Sequence, residues 1–276
     1  MELSDATVNH LRQVVDLPDL SGTRYKIEHE IGRGGMGTVY VARDVDLDRR
    51  VALKVLDGEL FEEPRLMARL EHPSIVPVYE RGVLPDGRVF YAMKLVGGVR
   101  FDRFIESSPP LSERLRVIQR VGEALRFAHA QNILHRDLKP QNVMVGEFGE
   151  VYVMDWGVKA VAGTPGFRAP EGAVDSRSDV YALGALLDFA IGRDRRSAPL
   201  GAIAAKARSE NPEQRYQTIS DLLAEVARFQ DGLAVQAYSE TAWEVLRRHA
   251  RRNAILLWLL AAYLAARFLV FFLHGR

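Results

Sequence analysis

The run His135-Arg136-Asp137-Leu138-Lys139-Pro140-Gln141-Asn142 places a carboxylate, an ammonium and an amide carbonyl at short fixed offsets on one loop. A carboxylate can aim a hydroxyl and take its proton. An ammonium two residues on can neutralise charge on a group passing between oxygens, and an amide oxygen suits a hard cation. Asp137, Lys139 and Asn142 are therefore the candidate base, charge neutraliser and metal ligand for phosphoryl transfer to a hydroxyl. Downstream, Asp155 of Asp155-Trp156-Gly157 follows VYVM, a strand that would deliver a second metal ligand from the back of a cleft. Upstream, Gly32, Gly34 and Gly37 stand at G-x-G-x-x-G offsets. That spacing alone fits a hairpin turn or a dinucleotide-binding turn. Strand-like sequence on both sides argues against the second, which needs a helix to follow. Glycine at these positions lets backbone N–H groups come close to phosphate, where side chains would block the approach. Lys54 ends Val51-Ala52-Leu53-Lys54. Alternation puts Ala52 and Lys54 on one face, so the ammonium points into the cleft under the glycines, where it could hold the α- and β-phosphates of ATP.

These groups need a frame. Residues 25–31, 38–45 and 50–56 alternate apolar and polar side chains and read as strands, with 75–80 and 89–94 as two more around the turn at Pro85-Asp86-Gly87. A short helix is expected over 64–71, and another over 4–16. Beyond Gly97-Gly98 the character becomes helical. Ser112 is the expected N-cap of a helix running to about Gln131, with Leu115, Ile118, Val121, Leu125 and Ala128 on its apolar face. Further helices are expected at 178–191, 200–209 and 219–230.

The chain has 276 residues, a net charge of +1 and no cysteine. Its length holds two lobes and an appendage. Near-neutrality gives no reason to expect a nucleic-acid partner. Without cysteine, disulfides, Cys-ligated zinc and thiol catalysis are excluded, and a reducing compartment fits. Residues 1–22 are polar and acidic and have no apolar signal core. Residues 255–273, ILLWLLAAYLAARFLVFFL, carry one charge, Arg267. As a helix they would rise about 28 Å, close to a bilayer's hydrocarbon thickness, and they are apolar all round rather than striped. Arg267 lies toward the distal end, where it can snorkel. The basic run at 247–252 precedes this segment, and only His274 and Arg276 add charge after it. That bias places residues 1–252 in the cytoplasm, so a chain ending here reads as a single-pass tail anchor in the inner membrane, with the lipid bilayer as partner. Ala261-Ala262 and Ala265-Ala266 put small residues at helical spacing, which admits a homodimer.

With these parts assembled, residues 25–232 resemble a protein kinase catalytic domain. The resemblance is carried by IGRGGMGTVY, VALKVL, LEHPSIV, HRDLKPQN, MDWG, GTPGFRAPE, SDVYALG and NPEQRYQT. It is greatest to the bacterial eukaryotic-like Ser/Thr kinases, some of which carry one membrane span after the catalytic domain. It implies an α+β, two-lobed kinase fold: a five-stranded β-rich N-lobe with one helix over 25–96, and a mainly helical C-lobe over 97–232. An N-terminal segment and linker (1–24), a basic juxtamembrane segment (233–252) and a transmembrane helix (253–274) complete the expected organisation. ATP with Mg²⁺ or Mn²⁺ in the cleft, and proteins bearing Ser or Thr as substrates, are also implied. So are Val39 and Ala52 above the adenine, Met144 below it, Met93 as gatekeeper, and the backbone of Lys94, Leu95 and Val96 as hinge. Lys139 matches Ser/Thr rather than tyrosine kinases. Thr164 would touch the catalytic aspartate, Glu171 would pair with Arg215, and Asp179 would brace the catalytic loop.

The chain also departs from the family. The helix after Lys54 is short, so the partner of Lys54 falls on Glu63, with Glu59 or Glu62 as alternatives. Pro64 beside Glu63 fits only a first helical turn. Residues 158–162 offer no hydroxyl for phosphorylation, leaving Arg136 without an obvious phosphate and Thr164 as a minor acceptor. Trp156 stands where the family has Phe, and the stretch from Gly192 to Leu200 is brief. The function implied is a membrane-anchored Ser/Thr protein kinase. The shortened helix and segment keep open a pseudokinase or nucleotide-binding scaffold with little or no phosphotransfer.

Overall fold

The computed structural model describes residues 17–34, 37–57, 67–156, 166–172, 175–192 and 198–274. The expected helix at 4–16, the glutamates Glu59, Glu62 and Glu63, residues 157–163 and Thr164 lie outside the described residues.

Five antiparallel strands form the upper sheet: β1 (Tyr25–Gly34), β2 (Gly37–Asp44), β3 (Arg49–Leu56), β4 (Val78–Val83) and β5 (Val89–Lys94), in the order β1-β2-β3-β5-β4. β3 is central, and every side chain from Val51 to Leu56 is buried. Its period of two sorts them between two apolar clusters. Val51, Leu53 and Val55 pack with Tyr25, Tyr40 and Phe90 on the outer face. Ala52 and Leu56 join Tyr91 and Met93 in the main core on the other. Lys54, between Ala52 and Leu56, therefore faces the main-core side.

β4 begins three residues later than the expected strand at 75–80. Pro77 has no N–H to give a ladder, and Ile75 instead forms a parallel bridge with Val153, supported by Val153 N–H donating to the Ser74 carbonyl at 2.8 Å. Of the helix expected at 64–71, Met67 and Ala68 are described as helical, and the chain has left the helix by Leu70.

The lower part contains a small antiparallel sheet, β6 (Val99–Arg100), β7 (Val143–Val145) and β8 (Val151–Val153), in that order. Its helices are α1 (Phe101–Glu106), α2 (Leu111–Ala130), α3 (Ser176–Ile191), α4 (Ala198–Ala207) and α5 (Ile219–Gln230). α2 buries Leu115, Ile118, Val121, Leu125 and Ala128 as its periodicity requires. Ser112 is not its N-cap: Pro110 holds that position with no side-chain cap. The Pro110 carbonyl takes the Glu113 N–H at 3.0 Å, and proline's fixed φ presets the entry. α3 starts at Ser176, two residues before the expected start, because Asp175 caps it by accepting from the Arg177 N–H at 2.8 Å. Eleven of its residues are buried, Ser178 and Asp179 among them, so α3 is the axle of the lower part. α5 occupies the expected range, set by a reciprocal capping box between Thr218 and Asp221.

Two helices follow, α6 (Ala242–Arg252) and α7 (Ala254–His274). Among the described residues no helix is long and apolar enough to cross a membrane; the side chains at 254, 256, 257, 260 and 269–274 lie outside that description. The transmembrane reading of residues 253–274 is accordingly not a feature of the fold as described.

Candidate active site

Lys54 is the first fixed point. In register it lies opposite Val39 on β2 and Tyr91 on β5. The residue is only 5% exposed, and its ammonium meets Asp155 Oδ1 at 2.8 Å. A buried ammonium needs such a partner to offset its desolvation. Asp155 lies two residues past β8 with φ 56°, the left-handed region that a short polar side chain tolerates best after glycine. That turn takes the carboxylate out of the strand direction and toward Lys54. Trp156, fully buried next to it, fills the slot where the family has Phe. Its indole N–H donates to the Val153 carbonyl at 3.0 Å, so the additional polar group is satisfied, and its ring packs against His135 at 4.7 Å between centroids.

The catalytic-loop residues are held from below by Asp179 on α3. Its carboxylate accepts from the backbone N–H of His135 at 2.9 Å and of Arg136 at 3.1 Å, and lies 2.8 Å from His129 Nε2. Burial opposes ionisation of Asp179, but the hydrogen bonds from His129 and from the His135 N–H together hold its pKa below the usual carboxylate value. Arg136 takes φ 72°, strain that the two amide bonds to Asp179 help secure. The fully buried His135 ring faces an acceptor at one nitrogen, the Met154 carbonyl at 2.9 Å from Nε2. At the other it faces a donor, the Asp137 N–H at 3.3 Å from Nδ1. Those partners select the neutral Nε2–H tautomer, and burial pushes the ring's pKa down in the same direction.

On this scaffold Asp137, Lys139 and Asn142 come together. Lys139 Nζ donates to Asp137 Oδ2 at 2.6 Å. Asn142 Nδ2 donates to the Asp137 carbonyl at 2.8 Å and to Oδ2 at 3.2 Å. With its nitrogen engaged, Asn142 has its amide oxygen left for a cation. The Asn142 backbone carbonyl accepts from Met154 N–H at 2.9 Å, tying this loop to the strand that leads into Asp155.

The expected nucleotide-binding residues divide by what demands them. Gly37 has φ 138°, and a Cβ there would lie 2.1 Å from the Val55 carbonyl oxygen; it is glycine for reasons of the fold. A Cβ at Gly32 or Gly34 would meet nothing within 4 Å among the described residues. Packing does not require glycine at those two sites, which is what a backbone reserved for phosphate would show. Ala52 and Met93 are buried in the main core, with Val39, Leu95, Val96 and Met144 packed against it. Six of the seven positions expected around the adenine thus border one apolar body. Lys94 turns its side chain toward the Tyr152 hydroxyl and hydrogen-bonds it, and its backbone N–H donates to the Pro77 carbonyl at 3.1 Å.

Below the loop, Arg215 forks onto Glu171 at 2.6 and 2.8 Å, and also donates to the carbonyls of Ser209 and Arg177. The guanidinium holds the Glu171 carboxyl below its usual range. Sequence reasoning gave no role to His129, His135 or Tyr152. His135 was visible only as part of a motif, and nothing in sequence marked His129 or Tyr152 as partners of residues 50 and 58 positions away.

The site thus joins a lysine–aspartate pair to an Asp–Lys–Asn loop through the Met154 N–H to Asn142 carbonyl bond, with a glycine-rich hairpin on the same sheet as the lysine. The protein kinase domain family matches residues 25–195. The chain belongs to the protein kinase family. This kinase is 33% identical to the serine/threonine-protein kinase PknB of Mycobacterium tuberculosis, the match covering 78% of this chain and 44% of that protein. It is 32% identical to PknB of Mycolicibacterium smegmatis, over 80% of this chain and 45% of that one. The kinase therefore spans less than half the length of these relatives. The crystal structure of the M. tuberculosis PknI kinase domain superposes with a TM-score of 0.63 at 26% identity, covering 76% of this chain and 96% of that one. The two-lobed arrangement, a β-sheet N-lobe over a helical C-lobe, is shared with that structure.

Proposed function

We propose that this kinase is active and transfers the γ-phosphoryl group of ATP to Ser or Thr hydroxyls of proteins. The observation that carries the reading is the Asp137 carboxylate held between Lys139 and Asn142 on a loop braced by Asp179. The acceptor hydroxyl gives its proton to Asp137 as its oxygen bonds to the γ-phosphorus and the bond to the ADP oxygen breaks. Lys139 neutralises charge on the group in transfer, and Lys54 holds the α- and β-phosphates. Val39, Ala52, Met93 and Met144 enclose the adenine, and the hinge backbone at Lys94 to Val96 hydrogen-bonds its edge. Glu63 is the proposed partner that orients Lys54, and Thr164 the residue that touches Asp137.

The donor set fits Mg²⁺. Asn142 offers an amide oxygen and Asp155 a carboxylate, and among the described residues no group of three or more His, Asp or Glu forms a metal cage. Magnesium is commonly held by one or two protein oxygens plus phosphate and water, and Mn²⁺ accepts the same ligands. When bound, the cation neutralises phosphate charge during transfer.

The test is incorporation of labelled phosphate from ATP into a generic Ser/Thr acceptor. Asp137→Ala and Lys54→Met should each lower the rate by about 100-fold or more. Equal incorporation by parent and both variants would reject this site and leave the scaffold reading.

The same proposal holds the kinase at the inner membrane through residues 255–273, with the lobes in the cytoplasm and a second copy of the helix as a fitting neighbour along its alanines. In support, α7 is 21 residues long, its sequence is apolar but for Arg267, and arginines precede it.

A further inference from the structure

We propose that α6 is a headgroup-binding surface: it lies along an anionic phospholipid layer and sets how the kinase stands on the bilayer. This rests on the membrane reading above and adds to it a site and its ligand chemistry.

α6 reads AWEVLRRHARR. Trp243 is 72% and Leu246 59% exposed. Offsets of three and four put Trp243, Leu246 and Arg247 on one helix face. An exposed indole and an isobutyl group beside a guanidinium form an amphipathic edge without apolar cover among the described residues. Arg247 is exposed, as is His249; Arg248 is paired to Glu240, and Arg251 and Arg252 follow, so the three arginines of the helix besides Arg248 stand against its single acid Glu244. The chain as a whole is nearly neutral at +1, so this positive charge is local. A short, strongly basic helix with Trp on its apolar side suits the headgroup boundary: the ring sits at the acyl edge while arginines meet phosphate.

The helix is also firmly mounted. Thr241 and Glu244 form a reciprocal cap, Glu244 Oε2 accepting from Thr241 N–H and Oγ1 at 2.8 Å each, and Thr241 Oγ1 accepting from Glu244 N–H at 3.3 Å. Arg248 forks onto Glu240 at 3.0 and 2.9 Å. The Tyr238 hydroxyl donates to Glu244 at 2.9 Å, and Tyr238 packs against the main core. Just before it, buried Glu225 on α5 accepts from the N–H groups of Gln236 and Ala237 at 2.7 and 3.0 Å. A continuous set of contacts thus runs from the lower core into α6. At the other end, Asn253 donates from N–H and Nδ2 to the His249 carbonyl at 3.0 Å each, and α7 begins at the next residue. Continuity with an apolar helix on one side and the catalytic body on the other favours lipid over a soluble partner.

The experiment uses the full chain in nanodiscs of phosphatidylcholine alone or with added phosphatidylglycerol, in a Trp258→Phe background, with brominated acyl chains as quencher. Trp156 is fully buried and gives a constant signal. Trp243 should be quenched and blue-shifted when phosphatidylglycerol is present, and Arg247→Glu with Arg251→Glu should abolish that response while the chain stays in the disc. Quenching that ignores phosphatidylglycerol, or the charge reversal, would overturn the proposal, as would an unquenched Trp243 in both lipids. If the chain enters no disc, the membrane-span reading fails instead. Co-sedimentation of the full chain with phosphatidylglycerol vesicles at low salt then decides α6: binding lost in the double variant supports it, and no binding overturns it.

Discussion

The imidazole of His135 shows how one residue can couple acidity to the shape of a catalytic loop. Its neutral form accepts from the Asp137 N–H and donates to the Met154 carbonyl, and protonation would set an N–H against an N–H. Burial lowers its pKa from the ordinary 6.5. Below that value the unfolded chain takes up a proton that the folded chain refuses. The stability supplied by the neutral ring is full above pH 6.5 and is lost as pH falls through the folded value. Melting temperature measured from pH 7.5 to 5 should therefore decline in the parent, and the slope should flatten in His135→Gln. The glycines separate in the same way. Gly37→Ala forces a Cβ onto the Val55 carbonyl at a positive φ and should cost roughly 2–5 kcal/mol. Gly34→Ala should shift stability by less than about 0.5 kcal/mol while raising KM for ATP; denaturant melts and ATP titrations distinguish the two. At this scale the sequence was legible in which residues come together, Lys54 with Asp155 and Asp137 with Lys139 and Asn142; their catalytic roles are proposals. It was silent on His129 and Tyr152, whose roles exist only once α3 and β5 bring Asp179 and Lys94 to them.

Elements were legible where local signals and tertiary packing agree. α5 matches its expected range because Thr218 and Asp221 cap it and its apolar face is regular. β3 matches because alternation alone assigns Leu53 and Lys54 to opposite sides. The misses have identifiable causes. Ser112 has a good capping side chain, but two prolines had already fixed the start of α2. Residues 75–77 are apolar enough for a strand, yet Pro77 cannot donate and Val153 offers Ile75 a better partner. Strands β6 and β7 and helix α1 are too short for periodicity to reveal. The joint between Glu171 and Arg215 belongs to this scale, since it ties the segment before α3 to the turn before α5. Arg215→Ala empties a buried site and removes hydrogen bonds to four residues, while Glu171 stays open to water. It should cost about 1.5–3 kcal/mol, read as a lower denaturation midpoint. Because Arg215 lowers the Glu171 pKa, the pair's contribution is present above the ordinary carboxylate value of 4.5 and fades as pH falls below it.

For the whole molecule, membrane attachment is the property on which the sequence says most and the described fold least. Carbonate extraction checks it: the full chain should remain in the pellet and a chain ending at Arg252 should be released. Release of both would reject the anchor while leaving the kinase lobes untouched. The contact between Lys54 and Asp155 has a consequence at this largest scale as well. It joins the sheet above to the loop below through opposite charges. Under the proposed function, a bound metal–nucleotide complex would offer phosphate to the cation and a divalent ion to the anion, so each half of the pair would trade its old neighbour for a new one. Electrical balance would be kept in this exchange, and the two lobes would pass from direct attachment to attachment through their substrate.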